Sequence, residues 1–107
     1  MAMTQTKSVT AIGPSAWMLI NLNSFNYGVG LIANLSTGGT ATYSIEVTGQ
    51  DPKLPGFGTI VNGMDNMVNL NTSKNGSLAY PCTAVRINVA SIAVGTTVSL
   101  SVVQGVD

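Results

Sequence analysis

The side chains able to do chemistry in this chain are few and mostly stand apart. Its 107 residues include four carboxylates (Glu46, Asp51, Asp65 and Asp107), four cations (Lys7, Lys53, Lys74 and Arg86), one thiol (Cys82) and no His. Without imidazole, His-dependent triads and most general acid–base schemes are excluded. Cleavage of a glycosidic bond requires two carboxyl groups held across it. Glu46 lies within an alternating strand pattern and Asp107 is the last residue, which leaves only two loop aspartates for that role. Cys82 follows Pro81 at the mouth of a strand, with no base at hand to form a thiolate, and reads as a small buried hydrophobe. An enzyme is not expected.

Metal and cofactor sites are not expected either. Zinc needs clustered Cys and His, and Asp51 and Asp65 lack the spacing of a calcium loop. Gly28-x-Gly30 and Gly56-x-Gly58 are without the further glycines and the following helix that cradle a phosphate. The cations are scattered and fully offset by acids, so no nucleic-acid partner is expected. What remains is protein contact. Arg86 sits mid-strand on a polar face, where it either pairs with Glu46 across neighbouring strands or anchors an interface. Tyr80 and Lys7 are the other residues expected at an interface. Trp17 has the same two readings, with the core favoured.

Short strands must position these residues, because the dominant period is two. Tyr43, Ile45 and Val47 alternate with Thr42, Ser44, Glu46 and Thr48; Val85, Ile87 and Val89 alternate with Arg86 and Asn88; Val98, Leu100 and Val102 alternate with Ser99 and Ser101. Val29 to Leu35 reads as a fourth strand. Val9–Ile12, Trp17–Leu22, Thr59–Val61 and Met67–Leu70 are weaker candidates, with Gly13-Pro14 breaking the first two apart. Thr37-Gly38-Gly39-Thr40 looks like a tight hairpin, and Ala93-Val94-Gly95-Thr96 plays a similar part before the last strand. No window carries apolar residues at helical spacing with a cap. The expectation is a single-domain, all-β antiparallel β-sandwich of jelly-roll type, with about eight short strands and no substantial helix. Residues 1–8 are expected to be a flexible N-terminal arm and 9–107 the sandwich domain.

Composition says what such a sandwich is for. Charged residues are 7% of the chain with zero net charge, against about 25% in an ordinary soluble domain. A folded chain of this size exposes about 5,600 Å², so it carries about one charge per 700 Å² where about one per 200 Å² is usual. Nothing long-ranged keeps two copies apart. Ser, Thr and Asn supply the polar surface, and these cost less to desolvate than ions. At 45% hydrophobic residues the chain is not of the disordered class. The longest apolar stretches, Ala16–Ile20 and Val29–Ala33, are far short of a membrane span. The aromatic girdles of a membrane barrel are missing, so no membrane partner is expected. No apolar segment follows polar Met1–Ser8 as a secretory signal would require, and a lone Cys fits synthesis in a reducing cytoplasm.

The order of segments also resembles a known family. Tyr43-Ser-Ile-Glu-Val-Thr48 precedes an Asp51-Pro52 turn and a long loop. Pro81-x-x-Ala84-Val85-Arg86-Ile87-Asn88, a short Gly turn and Thr97-Val-Ser-Leu-Ser-Val-Val-Gln104-Gly105 follow. Over about residues 40 to 105 this is similar to small virion structural proteins of tailed bacteriophages, among them head decoration or cement proteins. Relatives of this kind often carry aromatic and His residues in the long loop; here Phe57 stands there and His is absent. The resemblance implies a jelly-roll sandwich on the capsid exterior, made in the host cytoplasm. It would clamp major capsid protein subunits as a dimer or trimer. A neck, tail or fibre protein and a carbohydrate-binding module are the alternative expectations.

Overall fold

The computed structural model describes residues 2–20, 29–64, 66–77 and 82–105. The described residues form nine strands in chain order: β1 (Ala2–Val9), β2 (Gly13–Pro14), β3 (Met18–Leu19), β4 (Val29–Leu35), β5 (Ala41–Thr48), β6 (Asn62–Gly63), β7 (Lys74–Ser77), β8 (Ala84–Ile92) and β9 (Val98–Gly105). They form two antiparallel sheets, one in the order β1-β9-β4-β7 and one in the order β2-β8-β5-β6, with β3 also paired to β8. Among the described residues there is no helix. The protein is an all-β sandwich.

Alternation dictates which faces meet. Tyr43, Ile45 and Val47 of β5 and Val85, Ile87 and Val89 of β8 point into one core with Val29, Leu31 and Ala33 of β4 and Val98, Leu100 and Val102 of β9. Tyr43 is fully buried at its centre, and its hydroxyl donates to the Thr72 carbonyl at 2.6 Å, so the ring is buried without stranding its polar tip. The β5–β8 ladder shifts register between Thr42 and Tyr43: Thr42 faces Ser91 and Tyr43 faces Val89, with Ala90 the extra residue. That bulge keeps both Val89 and Ile92 turned toward the core although they are three apart.

Three expectations need correction. Residues 2–8, expected as part of an arm, belong to β1, which pairs with β9 over its whole length from Ala2–Gly105 to Val9–Val98. β1 stops at Val9, so Val9–Ile12 is not a separate strand. Thr59–Val61 lies in turns, and the Met67–Leu70 segment contributes a single bridge, Leu70 to Tyr43.

The two glycine turns also need correction. β4 and β5 lie in different sheets, as do β8 and β9, so both turns are arches across the sandwich rather than hairpins. Gly38 (φ 75°) and Gly95 (φ 83°) supply the left-handed backbone in each. The arches are bonded to one another: Ser36 N donates to Thr97 O (3.0 Å), Ala93 N to Thr40 O (2.9 Å) and Thr40 N to Thr96 Oγ1 (3.0 Å). Thr96→Val keeps the shape but leaves the Thr40 N–H without its acceptor. It is expected to lower stability by about 1–2 kcal/mol, read as a lower urea midpoint with unchanged slope.

Candidate interaction surface on the outer face of the β8–β5 sheet

The residues that combine charge and aromaticity gather on the outer face of the β2-β8-β5-β6 sheet. Glu46 and Arg86 are register partners on β5 and β8. Arg86 Nε donates to Glu46 Oε1 at 2.8 Å, each side chain 18% exposed. Asn88, two residues along the same face, donates from Nδ2 to Glu46 Oε2 at 3.1 Å. Both oxygens of the carboxylate are therefore engaged, as a largely covered anion requires.

Trp17 covers the pair from the segment between β2 and β3. Ser15 holds that segment to β8: its N–H donates to Ile87 O (2.8 Å), and its Oγ accepts from Ile87 N (3.1 Å). The Arg86 guanidinium carbon then lies 4.4 Å from the Trp17 ring centroid, a cation–π stack. Trp17 is thus half-buried outside the sandwich, not in the core where the sequence favours it. The cation and a covering loop draw it there.

That loop, residues 49–61, lies over the end of the same face. Phe57 meets Trp17 at 5.9 Å between centroids, tilted by 54°. Gly58 adopts φ 85°, and a Cβ on it would come within 2.6 Å of Trp17 Nε1. The glycine that lacks a phosphate-binding context in the sequence therefore serves close approach of an indole.

Hydrogen bonds, more than apolar burial, fix the loop. Buried Thr48 donates from Oγ1 to Ile60 O (2.9 Å) and Ile60 N donates to Gln50 Oε1 (2.8 Å). Gln50 Nε2 donates to Thr59 Oγ1 (3.2 Å) and Thr83 Oγ1 to Gln50 O (2.6 Å). Asp51 Oδ1 accepts from Lys53 N at 2.9 Å, closing an Asx turn. On this ordered loop Leu54 and Ile60 remain 61% and 65% exposed.

Of the residues expected at an interface, Arg86 and Lys7 are not brought together. Arg86 takes the intramolecular pairing with Glu46. Lys7 is on β1 of the other sheet. Tyr80 lies outside the described residues. The covering role of Phe57 and Gly58 has no sequence signal beyond an aromatic in a Gly- and Pro-rich loop. Among the described residues no three His, Cys, Asp or Glu side chains group as metal ligands. Cys82 is buried, and that burial pushes its thiol up to about 11, opposed in part by a hydrogen bond from the Ala84 backbone. No family model, no curated protein and no solved structure matches this chain.

Two outcomes follow from this geometry. Gly58→Ala strains a left-handed residue and drives its methyl into the indole, so it is expected to lower stability by about 1–3 kcal/mol. Trp17 emission should shift to the red as the ring loosens. Cys82 titrates near 9.0 when unfolded and near 11 when folded, so above about pH 9 the unfolded chain holds fewer protons than the native one. Stability should therefore fall between about pH 9 and 11, and Cys82→Ala should flatten that fall in denaturation curves taken across the range.

Proposed function

We propose that this protein is a non-enzymatic virion structural protein that decorates a tailed-phage capsid as a cement protein. In this reading it sits on the capsid exterior and binds the major capsid lattice, itself as a homo-oligomer. The observation that carries it is the near absence of charge from the surface. Eight charged side chains serve 5882 Å² of accessible area, and Glu46 and Arg86 already neutralise one another. Such a surface is cheap to cover with protein and sets up no long-range repulsion between copies.

The strand order supports the same reading. With short β3 set aside, one sheet runs β1-β9-β4-β7 and the other β2-β8-β5-β6. We read this order as that of a jelly roll, an architecture used by viral capsid domains. The ordered 49–61 loop adds exposed Leu54 and Ile60 as apolar contact residues. A protein that binds only the assembled lattice stabilises it by mass action, and many copies on a symmetric shell turn modest single contacts into avidity.

The test is co-sedimentation of the protein with expanded capsids. Binding should saturate at a fixed, many-copy stoichiometry, and the capsid should disassemble at a higher temperature when decorated. Because so few charges take part, affinity should change less than about twofold between low and high salt. A handful of copies per particle overturns the reading.

A further inference from the structure

The sheet edges of this sandwich are unequal. The β8–β5 sheet ends in β2, β3 and β6, each two residues long. The open side of β5 is further occupied by main-chain bonds from Met64 N to Ile45 O, from Ile45 N to Met67 O, and between Tyr43 and Leu70 in both directions. The other sheet ends in four-residue β7 and in β1. β1 is eight residues long, with no Pro, no Gly and no register shift against β9. On its far side the main chain bonds no described residue. A long regular edge of this kind is a ready template for another strand.

The side chains of β1 say which strand. Its outward residues, Thr4, Thr6 and Ser8, are exposed, and Thr6 Oγ1 shares a hydrogen bond with Ser101 Oγ at 2.9 Å. Its inward residues include Gln5, whose Nε2 donates to Leu19 O of the opposite sheet at 2.8 Å, and Val9, which packs against the core. Lys7 falls between them on the same inward face, half-buried and paired in register with fully buried Leu100. No described side chain answers its charge, because the one ion pair among the described residues is Arg86–Glu46. An added strand would close over this ammonium and cut it off from water, at a large cost unless an anion came with it.

A second copy of β1 cannot supply that anion. Residues 2–9 contain no acid, and the antiparallel registers that keep the inward faces together set Lys7 opposite Met3, Gln5, Lys7 or Val9 of the copy. We propose that the edge of β1, unpaired among the described residues, is a strand-addition site for an extended segment of a partner protein carrying an Asp or Glu opposite Lys7, and that Lys7 rejects a second copy of β1. Main-chain hydrogen bonds would provide affinity and the carboxylate the selection. The proposal shares with the cement reading only the existence of a protein partner.

Three capped peptides of about ten residues test it, alternating Thr and Val and differing only at the central inward position, which is Glu, Gln or Lys. Titrated into the isotope-labelled full chain, the Glu peptide should slow amide exchange along β1. It should bind at least about tenfold more tightly than the other two, and Lys7→Met should erase the preference. Equal binding of the three, a preference that survives Lys7→Met, or unprotected β1 amides at millimolar peptide overturns the site. Lys7→Val tests the rejection of a second copy: with circular dichroism unchanged, its mass by light scattering should be at least twice that of the wild type. An unchanged mass overturns that half. No capsid enters either experiment, so their failure and the failure of the sedimentation assay are separate results.

Discussion

Every outward position on this protein depends on the parity of β5 and β8. Their inward side chains are fully covered by β4 and β9, and the burial of those apolar groups is the main favourable contribution to folding. Because strand side chains alternate, a one-residue slip would expel Tyr43 and Ile45 and bury Glu46 and Ser44. Ala90 shows how strictly parity is kept: where β8 must bring Val89 and Ile92 to the same side, the chain inserts a bulge instead of exposing one of them.

Parity then decides the outer face. Once Ile45 and Ile87 point in, Glu46 and Arg86 must point out, opposite one another and close enough to pair. Their partial burial makes the neighbours matter. Asn88 completes the carboxylate's bonds, Trp17 stacks on the guanidinium, and Phe57 and Gly58 bring a loop onto the indole. The 49–61 loop is thus an extension of the sheet's polar chemistry. Buried Thr48 joins the two, since its hydroxyl ends the β5 face and fixes Ile60. A surface held by so many internal bonds would lose little freedom on binding, which would lower the cost of any contact it made.

Edges are the counterpart of faces. A surface with so few charges has little electrostatic protection against unwanted pairing, so protection must come from geometry. Three of the strands at sheet margins are two residues long, and Met64, Met67 and Leu70 bond the main chain of β5. Among these margins β1 alone is long and regular, and in our proposal its inward Lys7 takes over the task.

The sequence by itself determined the class of fold and the faces of β4, β5, β8 and β9, because alternation is a local property that one strand carries whatever it pairs with. It also determined the poverty of ionisable chemistry, which is a matter of composition. Pairing was decided only by the tertiary structure. The glycine turns at 37–40 and 93–96 require a reversal and positive φ in a hairpin and in an arch alike, so local chemistry cannot tell which sheet the chain returns to. β1 carries polar residues on both faces from Thr4 to Ser8, with no periodic signal, and becomes a strand because β9, 89 to 103 positions away in register, offers its edge. Trp17 is apolar enough for any core, yet a cation on β8 and a glycine in a distant loop give it a place outside. Such contacts join residues far apart in the chain, and no short window of sequence contains both partners.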